Sequence, residues 1–119
     1  MFRSLWVFFA LSLSVLVAHA QAAAPAATEP VPTFDKAYMA SAKALAAGKE
    51  VWDTQCRHCH GNAAYPGKAP KLTPGGMESD FIFDRVTYGF QKMPPWKDVF
   101  SLEQRKAVVA YIKSTSFSP

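Results

Sequence analysis

The 119-residue chain carries 13 Lys and Arg against 9 Asp and Glu, with three His, two Cys and nine Pro, which is length enough for one small domain and too short for a multidomain enzyme. Its formal charge of +4 is spread without the Lys/Arg runs of a nucleic-acid stripe or a membrane-surface helix, so nucleic acid is not an expected partner. Hydrophobic residues make up 50% of the chain, but 15 of them crowd into residues 1–20, and the remainder has the composition of an ordinary globular domain.

Residues 1–20 read as a secretory signal peptide. Arg3 gives a positive start, residues 5–17 form a largely apolar run of 13, and Ala18-His19-Ala20 supplies the small-x-small pattern of a cleavage site. At a rise of roughly 1.5 Å per residue such a run falls short of a ~30 Å hydrocarbon core, so the mature chain is expected to have no membrane span and to reside in the periplasm. Residues 21–33, QAAAPAATEPVPT, hold three prolines and no apolar period, which predicts an extended tether. The folded domain is expected over 34–119, with residues 34–40 adding a helical turn ahead of the main elements.

The first main helix leads up to Trp52, with Leu45, Gly48 and Trp52 on one face. Gly48 stands among good helix formers, where alanine would be more stable by ~1 kcal/mol. Directly after this helix comes Gln55-Cys56-Arg57-His58-Cys59-His60-Gly61. Both cysteines lie in this one short stretch, so they cannot staple distant parts of the chain. Cys-x-x-Cys-His is the attachment signature for a c-type haem. Residues three apart share a helical face, so Cys56 and Cys59 can reach two vinyl groups on one porphyrin edge, while His60 turns its imidazole to the iron. A thioredoxin-like redox pair would need a preceding strand, and none is indicated. Zinc held by Cys56, His58, Cys59 and His60 is disfavoured because such adjacent residues cannot all wrap one tetrahedral ion. His58 is therefore read as a solvated residue.

Farther along, Pro74-Gly75-Gly76-Met77 reads as a flexible turn, with Met77, like Met39, an ordinary core methionine. A middle helix is expected over residues 80–87, with Phe81, Ile82, Phe83 and Val86 in the core. Met93 follows in Gly89-Phe90-Gln91-Lys92-Met93-Pro94-Pro95-Trp96, where glycine and two prolines enforce an irregular loop. A stiff loop suits an axial ligand, because thioether sulfur binds iron weakly and must be held by the fold. Met93 is the expected partner of His60 across the iron. The last helix opens on Ser101-Leu102-Glu103-Gln104, a capping box, and carries Ala107, Val108, Tyr111 and Ile112 at helical spacing.

With the attachment motif and the Met93 loop both in view, the chain resembles bacterial class I cytochromes c over approximately residues 42–114. The helix before the motif, the Gly67-Lys68-Ala69-Pro70-Lys71-Leu72 stretch after it, the Met-Pro loop and a final helix ending Val109-Ala110-Tyr111-Ile112 occur in the family's order. The resemblance implies an all-α fold of about three to five helices around one covalently bound haem c, with the first and last helices packed across each other. It implies that Gly48 lets the last helix approach, with Tyr111 in the gap, and that the Pro70 carbonyl accepts the His60 Nδ1–H. Leu72, Trp96, Val99 and Phe100 become expected pocket residues. Lys68, Lys71, Lys92 and Lys97 form either a basic rim or scattered solvated lysines.

Iron held by His60 and Met93 favours one-electron exchange over oxygen chemistry. The expected function is that of an electron carrier and not an enzyme, serving redox proteins such as a dehydrogenase or a terminal oxidase, as a free shuttle or as the haem subunit of a complex. The competing functions are a haem protein with an open sixth position, active in ligand binding or catalysis, and a Cys/His metal or thiol module.

Overall fold

Ser41 opens the first long helix: its hydroxyl accepts from the Ala44 N–H at 3.4 Å, relieving one of the unpaired donors at the helix start. The Ala-rich stretch after it has few side chains to restrict and continues as helix α2, Ala42–Val51. A short turn of helix, α1, Lys36–Met39, precedes it, capped by the Asp35 carboxylate on the Tyr38 N–H at 2.9 Å. In the computed structural model residues 28–62 and 67–117 are described. The expected signal peptide and most of the expected tether lie outside them.

After α2 the chain widens into a π turn, Trp52–Cys56, and closes again as α3, Arg57–His60. A 3-10 turn, Pro74–Gly76, leads to α4, Ser79–Tyr88, and then α5, Leu102–Lys113, completes the fold. No strand occurs among the described residues; the single isolated bridge joins Phe90 and Met93. The architecture is all-α, as expected.

The core is built on α5. Its residues Ala107, Val108, Val109, Ala110, Tyr111 and Ile112 are all buried. A helix apolar around its whole circumference must be covered on several sides, and here α2 and α4 supply the cover. The expected capping box is present in full, with Ser101 Oγ accepting from the Gln104 N–H at 3.2 Å and Gln104 Oε1 accepting from the Ser101 N–H at 3.0 Å.

Gly48 sits where α2 crosses α5. A Cβ added there would lie 2.1 Å from the Ala107 carbonyl oxygen and 2.8 Å from Tyr111 Cβ, so the two helix backbones meet at this glycine. The buried face of α2 runs through Ala44, Gly48 and Val51. Leu45, expected on that face, is only half-buried, because the packed stripe is rotated by one residue.

On α4, Ile82, Phe83, Val86 and Thr87 are buried. Phe81 is not: it is 45% exposed, one residue off the stripe facing α5, and the Arg85 guanidinium lies 4.8 Å from its ring centroid. Phe117 is fully buried beyond the end of α5, edge-on to Trp52 at 4.6 Å and to Tyr111 at 5.5 Å. Phe34 reaches the same core from the other end of the domain, edge-on to Phe83 at 6.0 Å.

Candidate haem site

The attachment motif lies at the end of a continuous helical run, so its orientation is set by what holds that helix. Trp52, only 1% exposed, is the anchor. Its indole Nε1–H is shared between the carbonyls of Gly61 and Asn62, both at 3.1 Å. This ties the start of the π turn to the chain leaving α3, and brackets Cys56, Cys59 and His60 between the two ends of one buried side chain. The Trp52 and His60 rings lie 5.7 Å apart at 39°. The π turn adds one residue to the helix just before Cys56, a deviation that is rare and common at functional sites.

The two cysteines are free and differ in exposure. Cys56 is partly buried against the core, and its burial pushes the thiol up to about 12. A thiol held protonated is a poor redox nucleophile and a poor thiolate ligand, whereas an uncharged thioether suits the same apolar surroundings. Cys59 is exposed on the next turn. His58 is exposed as well, its Nε2 3.1 Å from the Thr54 carbonyl one turn back, in keeping with its reading as a surface residue. Among the described residues no three His, Cys, Asp or Glu side chains converge in a group that could hold a metal ion.

His60 is half-buried, and its Nδ1 is fully buried with no hydrogen-bond partner among the described residues. Burial lowers its proton affinity and favours the neutral ring, the form that can bind a metal through a lone pair. The expected bond from Nδ1 to the Pro70 carbonyl is not formed. The ring is placed by Trp52, and the returning chain is tied at the neighbouring residue instead, with the Ala69 N–H donating to the Cys59 carbonyl at 2.8 Å. An imidazole whose Nδ1 has no partner among the described residues, beside two free cysteines on adjacent turns, is a donor set that fits a covalently held haem.

Met93 is carried by a tight turn. Phe90 and Met93 exchange both backbone hydrogen bonds, N–H to carbonyl at 3.0 and 2.9 Å, around Gln91 and Lys92. Gln91 takes the left-handed conformation at φ 51°, which costs a non-glycine residue roughly 1–2 kcal/mol. Gly89 enters the turn at φ 74°, and a Cβ there would stand 2.5 Å from the Met93 carbonyl oxygen. Farther on, the Trp96 and Lys97 N–H groups donate to the Val86 and Thr87 carbonyls at 3.1 and 3.2 Å. The loop is thus fixed to the end of α4, with Met93 partly buried against the same core as Cys56.

Met77 is also partly buried on that core. Its turn, expected to be flexible, is pinned: Lys113 Nζ donates to the Pro74 carbonyl at 2.7 Å and to the Met77 carbonyl at 2.6 Å. Leu72, Trp96 and Phe100 pack against the core as expected, but Val99 is 61% exposed and lines nothing there. Lys68, Lys71 and Lys92 are exposed, while Lys97 is half-buried with its ammonium 5.8 Å from the Tyr88 ring centroid. An open cleft of about 450 Å³ between residues 71–76 and 113–115 is lined by none of Cys56, Cys59, His60 and Met93.

Residues 43–112 match the family model described as cytochrome C oxidase, cbb3-type, subunit III. The chain belongs to this cytochrome c family. Among curated relatives, it is 33% identical over 82 residues to a cytochrome bc1 complex cytochrome c subunit of Corynebacterium diphtheriae, a match covering 63% of this chain and 28% of the relative. It is 28% identical over 92 residues to a cbb3-type cytochrome c oxidase subunit FixP of Sinorhizobium medicae, covering 64% of this chain and 32% of the relative. The cytochrome therefore spans about a third of the length of these relatives or less. Among solved structures, the c-type cytochrome NirC superposes with a TM-score of 0.53 at 25% identity, over 66% of this chain and 99% of that one. The expected class I-like fold is borne out, and the cofactor of the family is a covalently bound haem c with its iron.

Proposed function

We propose that this cytochrome carries single electrons between redox proteins of the periplasm, with Cys56 and Cys59 as the thioether attachments and with His60 and Met93 as the axial ligands. The observation that carries this reading is the placement of His60: a half-buried imidazole next to Cys59, 5.7 Å from the Trp52 ring, whose buried Nδ1 has no hydrogen-bond partner among the described residues. When bound, haem c supplies a one-electron couple, its ferrous form passing an electron to an acceptor and its ferric form taking one from a donor.

The chain's own residues set the terms of that exchange. Trp52 ties down the chain directly after His60, and the Phe90–Met93 turn holds the backbone that carries the thioether. With His60 and Met93 both holding the iron, no position would remain for oxygen or peroxide, which favours a carrier over an enzyme. Burial against Trp52, Trp96 and Phe100 together with a thioether ligand favours the less charged ferrous state and a relatively positive potential. The relatives, cytochrome c subunits of a bc1 complex and of a cbb3-type oxidase, support respiratory complexes as donor and acceptor.

Met93→Ala provides the test. The variant keeps its covalent haem in a denaturing gel, loses the weak red band of methionine-bound ferric iron and shows a lower reduction potential. An unchanged low-spin spectrum and potential would remove Met93 from the iron.

A further inference from the structure

Arg105 is buried in the middle of the domain, with only 4% of its side chain exposed, and every arm of its guanidinium is occupied. Nε–H donates to the Phe100 carbonyl at 3.1 Å and Nη1 donates to Thr87 Oγ1 at 3.0 Å. Nη1 and Nη2 donate to the two carboxylate oxygens of Glu29 at 2.7 and 3.2 Å. Glu29 also donates its backbone N–H to the Tyr88 hydroxyl at 2.7 Å. The hydrogen bond from Arg105 holds the Glu29 carboxyl below its usual range.

These partners are not scattered. Thr87 and Tyr88 end α4 immediately before Gly89, and Phe100 is the last residue before the Ser101 cap of α5. Both ends of the loop that carries Met93 are therefore gathered at one guanidinium. Among the described residues the one anion paired with it, Glu29, comes from a segment preceding α1 and outside residues 43–112 that match the family. A buried cation stripped of its counterion would be left with one hydroxyl and one carbonyl, and the arrangement around it would loosen.

We propose that Glu29 is a positioning residue for the axial ligand: the N-terminal segment is a clasp that, through Arg105 and Tyr88, holds the Met93 loop closed against the core. This rests on the reading of Met93 as an iron ligand. A thioether is displaced by an outside ligand only when its loop opens, so the apparent affinity of that ligand rises with the fraction of open loop.

The experiment titrates imidazole into the ferric, full-length holoprotein and follows hydrogen exchange at the Phe90, Trp96 and Lys97 amides. Glu29→Gln is compared with wild type, with Met93→Ala, and with Glu103→Gln, which takes the charge from the acceptor of the 2.7 Å bond from the Tyr38 hydroxyl between α1 and α5 without touching the loop. Glu29→Gln is expected to bind imidazole about tenfold tighter and to exchange these amides faster, with Glu103→Gln within about twofold of wild type. Equal affinities for Glu29→Gln and wild type, or equal gains in Glu29→Gln and Glu103→Gln, overturn the clasp. If Met93→Ala then binds imidazole far more tightly than wild type, the ligand assignment stands and the clasp alone falls. If Met93→Ala binds no tighter than wild type, the ligand assignment fails and the clasp fails with it.

Discussion

Replacing Gly48 by alanine opposes two effects of known sign. In an exposed helix the change stabilises by about 1 kcal/mol, since alanine loses less backbone entropy on folding. Here the new Cβ would stand 2.1 Å from the Ala107 carbonyl oxygen, 2.6 Å from its carbon and 2.8 Å from Tyr111 Cβ. Two of these three atoms are backbone, so no side-chain rotation relieves the clash. Ordinary contact needs about 3.5 Å, so α2 and α5 must move apart by more than ~1 Å, opening the closely packed seam between them. Overpacking of this kind costs typically 1–3 kcal/mol, and the backbone location puts Gly48→Ala at the upper end. The net expectation is a loss of about 2 kcal/mol, or roughly 8–16 °C in melting temperature for a domain of this size. Thermal and urea melts of the holoprotein, followed by far-ultraviolet circular dichroism, measure it. A variant as stable as wild type, or more so, would mean that the helices do not meet at Gly48.

Two further substitutions test the core and its ties. Phe117→Ala removes a fully buried ring packed on Trp52 and Tyr111 and should cost about 3–5 kcal/mol in urea denaturation; a loss under 1 kcal/mol would show that the chain end does not belong to the core. Lys113→Met keeps most of the aliphatic stem and deletes both bonds to the Pro74 and Met77 carbonyls, with an expected loss of about 1.5–3 kcal/mol and faster hydrogen exchange at the Gly76 and Met77 amides. Unchanged exchange there would show that the turn holds itself.

Local rules written into short windows were readable from the chain. Ser101 and Gln104 make their reciprocal cap because the interaction lies within one turn, and Gly48 was conspicuous because nothing in its own helix calls for glycine. The attachment motif and the proline-stiffened Met93 loop were legible for the same reason. Burial was less so. Phe81 has core chemistry yet sits one step off the stripe of α4 that faces α5, and periodicity does not fix the phase of a stripe to within a residue, while Val99 lies in an exposed turn before α5 where no periodicity applies. The long-range polar ties were not legible at all. Nothing marks Glu29 as the partner of Arg105, or Lys113 as the donor to Met77, because 76 and 36 residues separate them and their pairing is decided by how the helices cross. Arg105 itself stands between Gln104 and Lys106 in the polar first turns of α5, so its surroundings in the sequence do not set it apart.

The π turn at Trp52–Cys56 acts as a phase slip in the helical run. Upstream, the face seen by α5 is set by Ala44, Gly48 and Val51; downstream, the directions of Cys56, Cys59 and His60 are counted from a new origin. One helical wheel drawn from Ala42 to His60 therefore misplaces one half or the other. A single-residue deletion within the turn would take out the bulge and leave the cassette facing nearly as before, whereas the same deletion in α2 would swing the whole attachment cassette by about 100° around the axis relative to α5. Length between the α5 contact at Gly48 and the turn is thus as tightly constrained as residue identity, even though none of the residues there is proposed to touch the haem.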